Sequence, residues 1–216
     1  MSPTRWDAWN LQSNEHKQTF DRPELYDFVD VSQNNHTKGR KHWDNFLYVK
    51  KRLSKRPRPM NTTKTYGADG NKFGHSDLDA IERFWRRLLA GAASARFHRP
   101  DSGLGLNDKA VNCLKAARLV ERLVPFWELR PAMERLKKKS PYAAYAAEAE
   151  GKAVVVYLSV KGSEGIGLDL SGMTNIQDIH WINIDSGIAS QRFKLSATDV
   201  LHLSTPHQGN FAMVIR

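Results

Sequence analysis

Phe28-Val29-Asp30-Val31-Ser32 is a short apolar run that gives way to polar Gln33-Asn34-Asn35-His36. Beyond it, Trp43, Phe46, Leu47 and Leu53 recur at helical spacing. Strand, polar loop, helix is the order, and it returns twice. Arg58-Pro59-Met60-Asn61-Thr62-Thr63 reads as the second strand, and the glycine loop Gly67 to Gly74 leads into a helix. Ser76 or Asp77 can cap that helix, with Asp79 near its start and Ile81, Phe84, Trp85, Leu88 and Leu89 along one face. Ala92 to His98 reads as the third strand. A Pro/Gly loop, Pro100 to Gly105, follows it, and then a helix from about Asn107 to Arg122 turns Val111, Leu114, Ala117 and Leu119 inward. Such alternation predicts a parallel α/β sheet, whose functional residues lie at the carboxyl ends of the strands.

After Pro125 the pattern changes. Trp127 to Lys139 reads as a closing helix with a basic end, and from Pro141 onward everything reads as strand. The runs are Tyr142 to Ala147, Ala153 to Ser159, Gly165 to Leu170, Ile176 to Ile184, Phe193 to Leu195, Val200 to Leu203 and Phe211 to Ile215, each bounded by turn residues. Short strands at this density predict a small antiparallel β-sandwich. The expected division is therefore residues 1–139 and 140–216. An eight-stranded barrel takes roughly 250 residues, so three β/α units cannot close one. The expected fold class is α/β plus all-β: the last three β/α units of a TIM-type barrel, followed by the sandwich.

Composition narrows the function classes. Lys and Arg number 33 against 23 Asp and Glu, a net charge of +10, and 40% of the 216 residues are hydrophobic, enough for packed cores. No window approaches the apolar length of a membrane helix, so no membrane partner is expected. The N-terminal residues Met1-Ser2-Pro3-Thr4-Arg5 carry no apolar signal region, which as written predicts a cytoplasmic chain. Cys113 is the single cysteine, sits in an apolar helical stretch, and reads as a buried thiol rather than part of a disulfide or zinc site.

Three stretches carry a resemblance. Asp30 to His36, Asn61-Thr62-Thr63-Lys64-Thr65-Tyr66-Gly67-Ala68-Asp69-Gly70, and Gly91 to Pro100 look like the final three strand ends of the apiosidase-like glycoside hydrolases, a (β/α)8-barrel family. Ala153 to Leu158, Gly167 to Ser171 and His180-Trp181-Ile182-Asn183 resemble the C-terminal domain labelled collagen-binding in that family. The resemblance implies a carbohydrate-active protein with two carboxylates at strand ends, because one group must protonate the leaving oxygen while the other attacks or activates water. It also implies that secretion would belong to full-length relatives. The sequence departs from the pattern at the seventh strand, where Lys64 stands in place of the expected glutamate. The nearest acid is Asp69, a weak catalytic candidate on a glycine loop, and the partner carboxylate would come from a strand this chain does not supply.

The remaining candidates form half a sugar-binding cleft. Gln33, Asn35 and His36 could exchange hydrogen bonds with hydroxyls, with Lys64 beside them. Arg96, His98 and Arg99 could hold an acidic sugar, and Tyr66 and Phe97 could stack on a ring face. No cofactor is expected, and no metal: His36 and His98 lack a third ligand. The alternatives are structural roles, with Arg96 and His98 in a polar network and His36 capping a turn. Trp43, Trp85 and Trp127 read as core; Trp6 and Trp9 read as exposed, and Trp181 could face the core or solvent.

The basic run Lys50 to Arg58 could neutralise phosphates. It ends an amphipathic helix, where positive charge complements the helix dipole, and no aromatics interleave with it. Specific nucleic-acid recognition is therefore disfavoured. Three function classes follow: the C-terminal part of a glycoside-hydrolase-like protein acting on or binding carbohydrate, inactive as this chain; a non-catalytic carbohydrate- or protein-binding module; and a basic nucleic-acid-binding protein. An exposed barrel edge would also favour self-association.

Overall fold

A computed structural model describes residues 11–12, 16–71, 73, 75–137, 144–161, 165–173, 176–195 and 199–216. Contacts divide the chain into two units, residues 1–106 and 107–216. The fold is mixed α/β, with one parallel and two antiparallel sheets.

The first unit comprises α1 (Lys17–Asp21), β1 (Val29–Asp30), α2 (Gly39–Arg52), β2 (Met60–Thr65), α3 (Asp77–Ala90) and β3 (Ser94–Phe97). Its sheet runs β1-β2-β3, parallel throughout, with Val29 opposite Met60 and Asn61 opposite Ser94. Val29, Val31 and Met60 are buried, α3 packs against β2 and β3, and Phe84 of α3 stacks on Phe97 of β3 at 4.9 Å between ring centroids. Trp43 and Trp85 are core, as their helical positions predict. Phe97, expected to be available for stacking on a ligand, is instead occupied by Phe84.

Helix α3 begins at a full capping box. The Ser76 hydroxyl accepts from the Asp79 N–H at 3.2 Å, and the Asp79 carboxylate accepts from the Ser76 N–H at 2.9 Å. Gly67, at φ +128°, lets the end of β2 approach this turn; a Cβ there would meet the Ser76 carbonyl oxygen and the Ala80 nitrogen at 2.6 Å.

The basic run ending α2 is partly spent on structure. Arg52 grips both oxygens of Asp21 and passes over the Phe20 ring. Arg58 donates to the carbonyls of Thr19, Phe20 and Tyr26 at 2.7–3.1 Å. These contacts hold α1 and its following loop against the end of α2.

The second unit begins with α4 (Asp108–Leu123). It continues through β4 (Arg130–Pro131), β5 (Leu136–Lys137), β6 (Ala144–Ala149), β7 (Ala153–Leu158), β8 (Ile166–Asp169), β9 (Asp178–Asn183), β10 (Ile188–Lys194), β11 (Val200–Leu203) and β12 (Phe211–Ile215). One sheet has the order β10-β9-β12-β7-β6-β4, the other β11-β8-β5. A single apolar core draws Val154, Val156, Leu158, Phe211, Met213 and Ile215 from the first sheet and Ile166, Leu168 and Leu203 from the second. Trp181 joins this core, edge-on to Phe211 at 5.8 Å. On the six-stranded sheet α4 packs against β9, β10 and β12. It does so through small residues, Ala110, Cys113, Ala116 and Ala117, which permit close approach and bury Cys113 as its sequence context predicts. Asn112 ties the helix to the Asp185 carbonyl at 2.8 Å.

Two expectations need correction. Residues 127–137 of the predicted closing helix are not helical: short 3-10 turns at Phe126–Glu128 and Met133–Arg135 alternate with β4 and β5. Pro131 explains this, since it has no N–H for a helix interior yet tolerates an edge strand. Trp127, expected in the core, is 78% exposed. The expected boundary at Lys139, together with Trp6 and Trp9, lies outside the described residues. Among the described residues no helix is long and apolar enough to cross a membrane.

Candidate binding face at the strand ends

The loops after β1, β2 and β3 leave the same end of a parallel sheet, so their side chains converge by topology. Asp30 closes the first turn: its carboxylate accepts from the Ser32 N–H at 2.7 Å and from the Thr63 hydroxyl at 2.7 Å. Ser32 accepts in turn from the Thr63 and Lys64 N–H groups at 3.0 and 3.3 Å. The ends of β1 and β2 are thereby fixed to one another, which sets the half-buried Lys64 beside the β1 loop.

Beneath the loops lies a layer of buried cations. Arg83, Arg86 and Arg87 on α3 are each no more than 2% exposed. Arg83 donates to the Tyr66 carbonyl at 2.7 Å and to the Asn35 carbonyl, joining the loops after β1 and β2. Arg87 donates to the Lys64 carbonyl at 3.1 Å, to the Thr65 hydroxyl, and through Nε to His42 Nε2 at 3.2 Å. Arg86 faces Glu82 at 3.7 Å. Burial lowers Arg83 to about 10, with Asp79 opposing the shift. Burial and then Arg87 hold His42 well below the usual imidazole range. A guanidinium can only donate, so His42 Nε2 must accept and the proton sits on Nδ1.

The predicted site residues separate into three groups. Tyr66 and His98 come together, ring against ring at 4.8 Å, with the His98 N–H donating to the Thr65 carbonyl at 3.0 Å. The loop after β3 folds onto the same histidine: the Gly105 N–H donates to the His98 carbonyl at 2.7 Å, and a Cβ at Gly103 would meet that oxygen at 2.6 Å. His36 is exposed on the β1 loop, its N–H on the Asn34 side chain at 3.0 Å. Arg96 is exposed on β3, and Arg99 is exposed and pairs with Asp101 at 2.8 Å.

Gln33 and Asn35 turn inward. The Gln33 amide donates to the His42 carbonyl at 2.8 Å and accepts from Asn45 at 3.0 Å, so it fastens the β1 loop to α2. Asn35 is buried, with its carbonyl committed to Arg83. Asp69 is held more firmly than a glycine loop suggests: its carboxylate accepts from the Asp77 N–H at 3.0 Å, and its own N–H donates to the Asp77 carboxylate at 2.8 Å. Among the described residues no group of three or more His, Cys, Asp or Glu is placed to hold a metal ion.

Sequence reasoning missed Arg83, Arg87, His42 and His75. One signal was present. On α3 the side away from Phe84 and Trp85 carries Arg83, Arg86 and Arg87 with the small Ala80 and Ala90, and no lysine, unlike the Lys/Glu mixture of a solvated face.

Neither a protein-family model nor a curated protein matches the chain. Solved structures do. A glycoside hydrolase of family 5 from Bacteroides vulgatus is 15% identical and superposes with a TM-score of 0.64, over 94% of this chain and 54% of its own. A second protein, described as a glycoside hydrolase, is 13% identical with a TM-score of 0.63, over 90% of this chain and 53% of its own. A candidate α-galactosidase from Bacteroides fragilis is 12% identical with a TM-score of 0.53, over 95% of this chain and 46% of its own. The chain thus shares the fold of part of glycoside hydrolase chains and spans about half the length of the structures it matches.

Proposed function

We propose that this chain is the C-terminal part of a glycoside-hydrolase-like protein, three β/α units of a barrel followed by a β-sandwich, and that its strand-end face binds carbohydrate. The observation that carries the reading is the superposition across nearly the whole chain on glycoside hydrolases, taken with polar loops at one end of the parallel sheet. Tyr66 is buried, so half-buried His98, edge-on to it, is the ring there that offers hydrogen bonds to sugar hydroxyls. Arg96 is exposed on β3 and His36 in the loop after β1. The apiosidase-like family remains the proposed relationship, supported by the order of the three strand-end motifs. Domain limits of 1–139 and 140–216 are the corresponding proposal for how such a parent protein is divided, with α4 counted as the helix of the third β/α unit although it packs on β9, β10 and β12.

Binding without turnover is the expected behaviour of the 216-residue chain. Glycoside hydrolysis needs two carboxylates roughly 5–9.5 Å apart across the bond, and Asp69 is the acid nearest Lys64 in the β2 loop. Its reciprocal pairing with Asp77 turns it toward the start of α3. A panel of aryl glycosides and plant oligosaccharides, assayed with Asp69→Asn as control, tests the point. Sugar-induced shifts at Tyr66 and His98 without hydrolysis support the reading. Turnover lost in Asp69→Asn overturns the inactive assignment, and absence of any sugar-induced shift overturns the binding face.

The second reading, a non-catalytic binding module, is favoured by the second unit having its own apolar core. Binding confined to residues 107–216 would select it.

A further inference from the structure

The loops after β1 and β2 leave one buried polar group unanswered. His75 is 7% exposed, and neither ring nitrogen has a hydrogen-bond partner. A buried imidazole without partners is costly, because each polar nitrogen has surrendered water for nothing. Its ring stands 6.0 Å from that of His36, nearly perpendicular, and His36 is exposed. The pair therefore joins a buried position to the surface.

Charge around the pair is positive on balance. Lys38 and Arg83 both act on His75; Asp79 offsets one of them and is itself bonded to Lys38 at 3.1 Å. Burial, then Arg83 and Lys38, hold the His75 ring below the usual imidazole range. The Arg83 bonds to the Asn35 and Tyr66 carbonyls fix both loops, so the spacing of the two histidines is set in advance. His75 also precedes the Ser76 cap of α3, where the helix dipole favours negative charge. An anion would satisfy each of these features together.

We propose that His75 and His36, backed by Lys38 and Arg83 at the start of α3, bind the carboxylate of an acidic sugar. The proposal rests on the strand-end face being a carbohydrate-binding face and names the substrate class for one side of it. The carboxylate accepts from a ring N–H of each histidine. His75 takes up one proton from solvent on binding, since the carboxylate then compensates the buried cation. A neutral sugar offers no such compensation.

The test uses the full chain and D-glucuronate, with D-glucose and acetate as comparison ligands, followed through the histidine ring resonances. The expected result is movement of the His75 and His36 rings with glucuronate, none with glucose, and a weaker effect with acetate. Glucuronate stays ionised over this range, so its affinity should rise as the pH falls from 7.5 to 6.5, by up to about tenfold for one proton taken up. His75→Gln should abolish that pH dependence. If it fails to fold, the exposed Lys38→Ala serves instead and should weaken glucuronate at least several-fold without altering Tyr66 or His98. An immobile His75 ring, equal response to glucose, or an affinity independent of pH would overturn the proposal. Acetate binding as tightly as glucuronate would overturn the sugar component. Neutral-sugar shifts at Tyr66 and His98 with a silent His75 would reject this inference alone; silence at all four residues would reject the binding face as well.

Discussion

The two units keep different things in their interiors. Residues 1–106 bury Arg83, Arg86, Arg87, His42, Asp30, Gln33 and Asn45, and hold strand ends to helices by hydrogen bonds from those groups. Residues 107–216 bury valines, alanines and aromatics between two sheets, with few buried polar groups, at the ends of β9 and in turns where Asp185 accepts from the Asn210 N–H and amide at 2.8 Å. A polar interior fixes loop geometry, because every bond has a required partner, but it is vulnerable to any change of charge. An apolar interior tolerates pH and is vulnerable to lost volume. The first suits a site and the second suits a scaffold.

The largest expected effect concerns where the second unit begins. A fragment of residues 107–216 should fold cooperatively, whereas one starting at residue 140 lacks α4 and exposes the sheet face that Ala110, Cys113, Ala116 and Ala117 cover. Denaturant melts of the two fragments decide this; equal stability would break the assignment of α4 to the second unit.

Next is Arg87→Met. It leaves the Lys64 carbonyl, the Thr65 hydroxyl and His42 Nε2 without their donor, and unsatisfied buried groups cost about 1–3 kcal/mol each. The loss should exceed about 3 kcal/mol and should appear as lost amide protection in β2 and α3, not in β7 or β12. Loss spread evenly over both units would contradict the separation.

The third effect is pH dependence. His42 is neutral when folded and titrates near 6.5 when unfolded. Stability is therefore unaffected above that value and falls below it by up to about 1.4 kcal/mol per pH unit. Buried His75 acts in the same direction, and half-buried His180 gives the second unit a weaker version. Asp178 in the second unit behaves otherwise. Hydrogen bonds from Arg192 and Lys194 outweigh burial and hold its carboxyl at about 2. Its contribution is complete above about pH 4 and is lost only as the pH falls toward 2.

The smallest is Ser76→Ala, which removes the α3 cap and should cost about 1 kcal/mol. It should fray the first turn and loosen the Asp69–Asp77 pairing, visible as faster exchange at Asp79 and Ala80.

Much of the fold was legible. Helices α2, α3 and α4, the three parallel strands and every predicted antiparallel run have counterparts, since periodicity and turn residues report which face is covered. The full extent of β10 escaped because all seven of its residues are exposed at a sheet edge, leaving no alternation to read. The turns from Phe126 to Arg135 escaped because apolar spacing resembled a helix until Pro131 is weighed. At the candidate site, Tyr66 and His98 were legible as strand-end residues. Gln33 and Asn35 were legible as polar loop residues, but nothing local signals that their groups bond inward to α2 and α3. Arg83 and Arg87 were hidden by the expectation that helix charges face water.

The central claim, that one unit is polar and site-bearing and the other an apolar scaffold, is tested most directly by residue-resolved hydrogen exchange on the full chain at pH 7.5 and pH 5.0. Protection should fall selectively in α2, β2 and α3 at the lower pH while β6, β7 and β12 keep theirs. Equal loss in the two units, or earlier loss in β7 and β12, would contradict it.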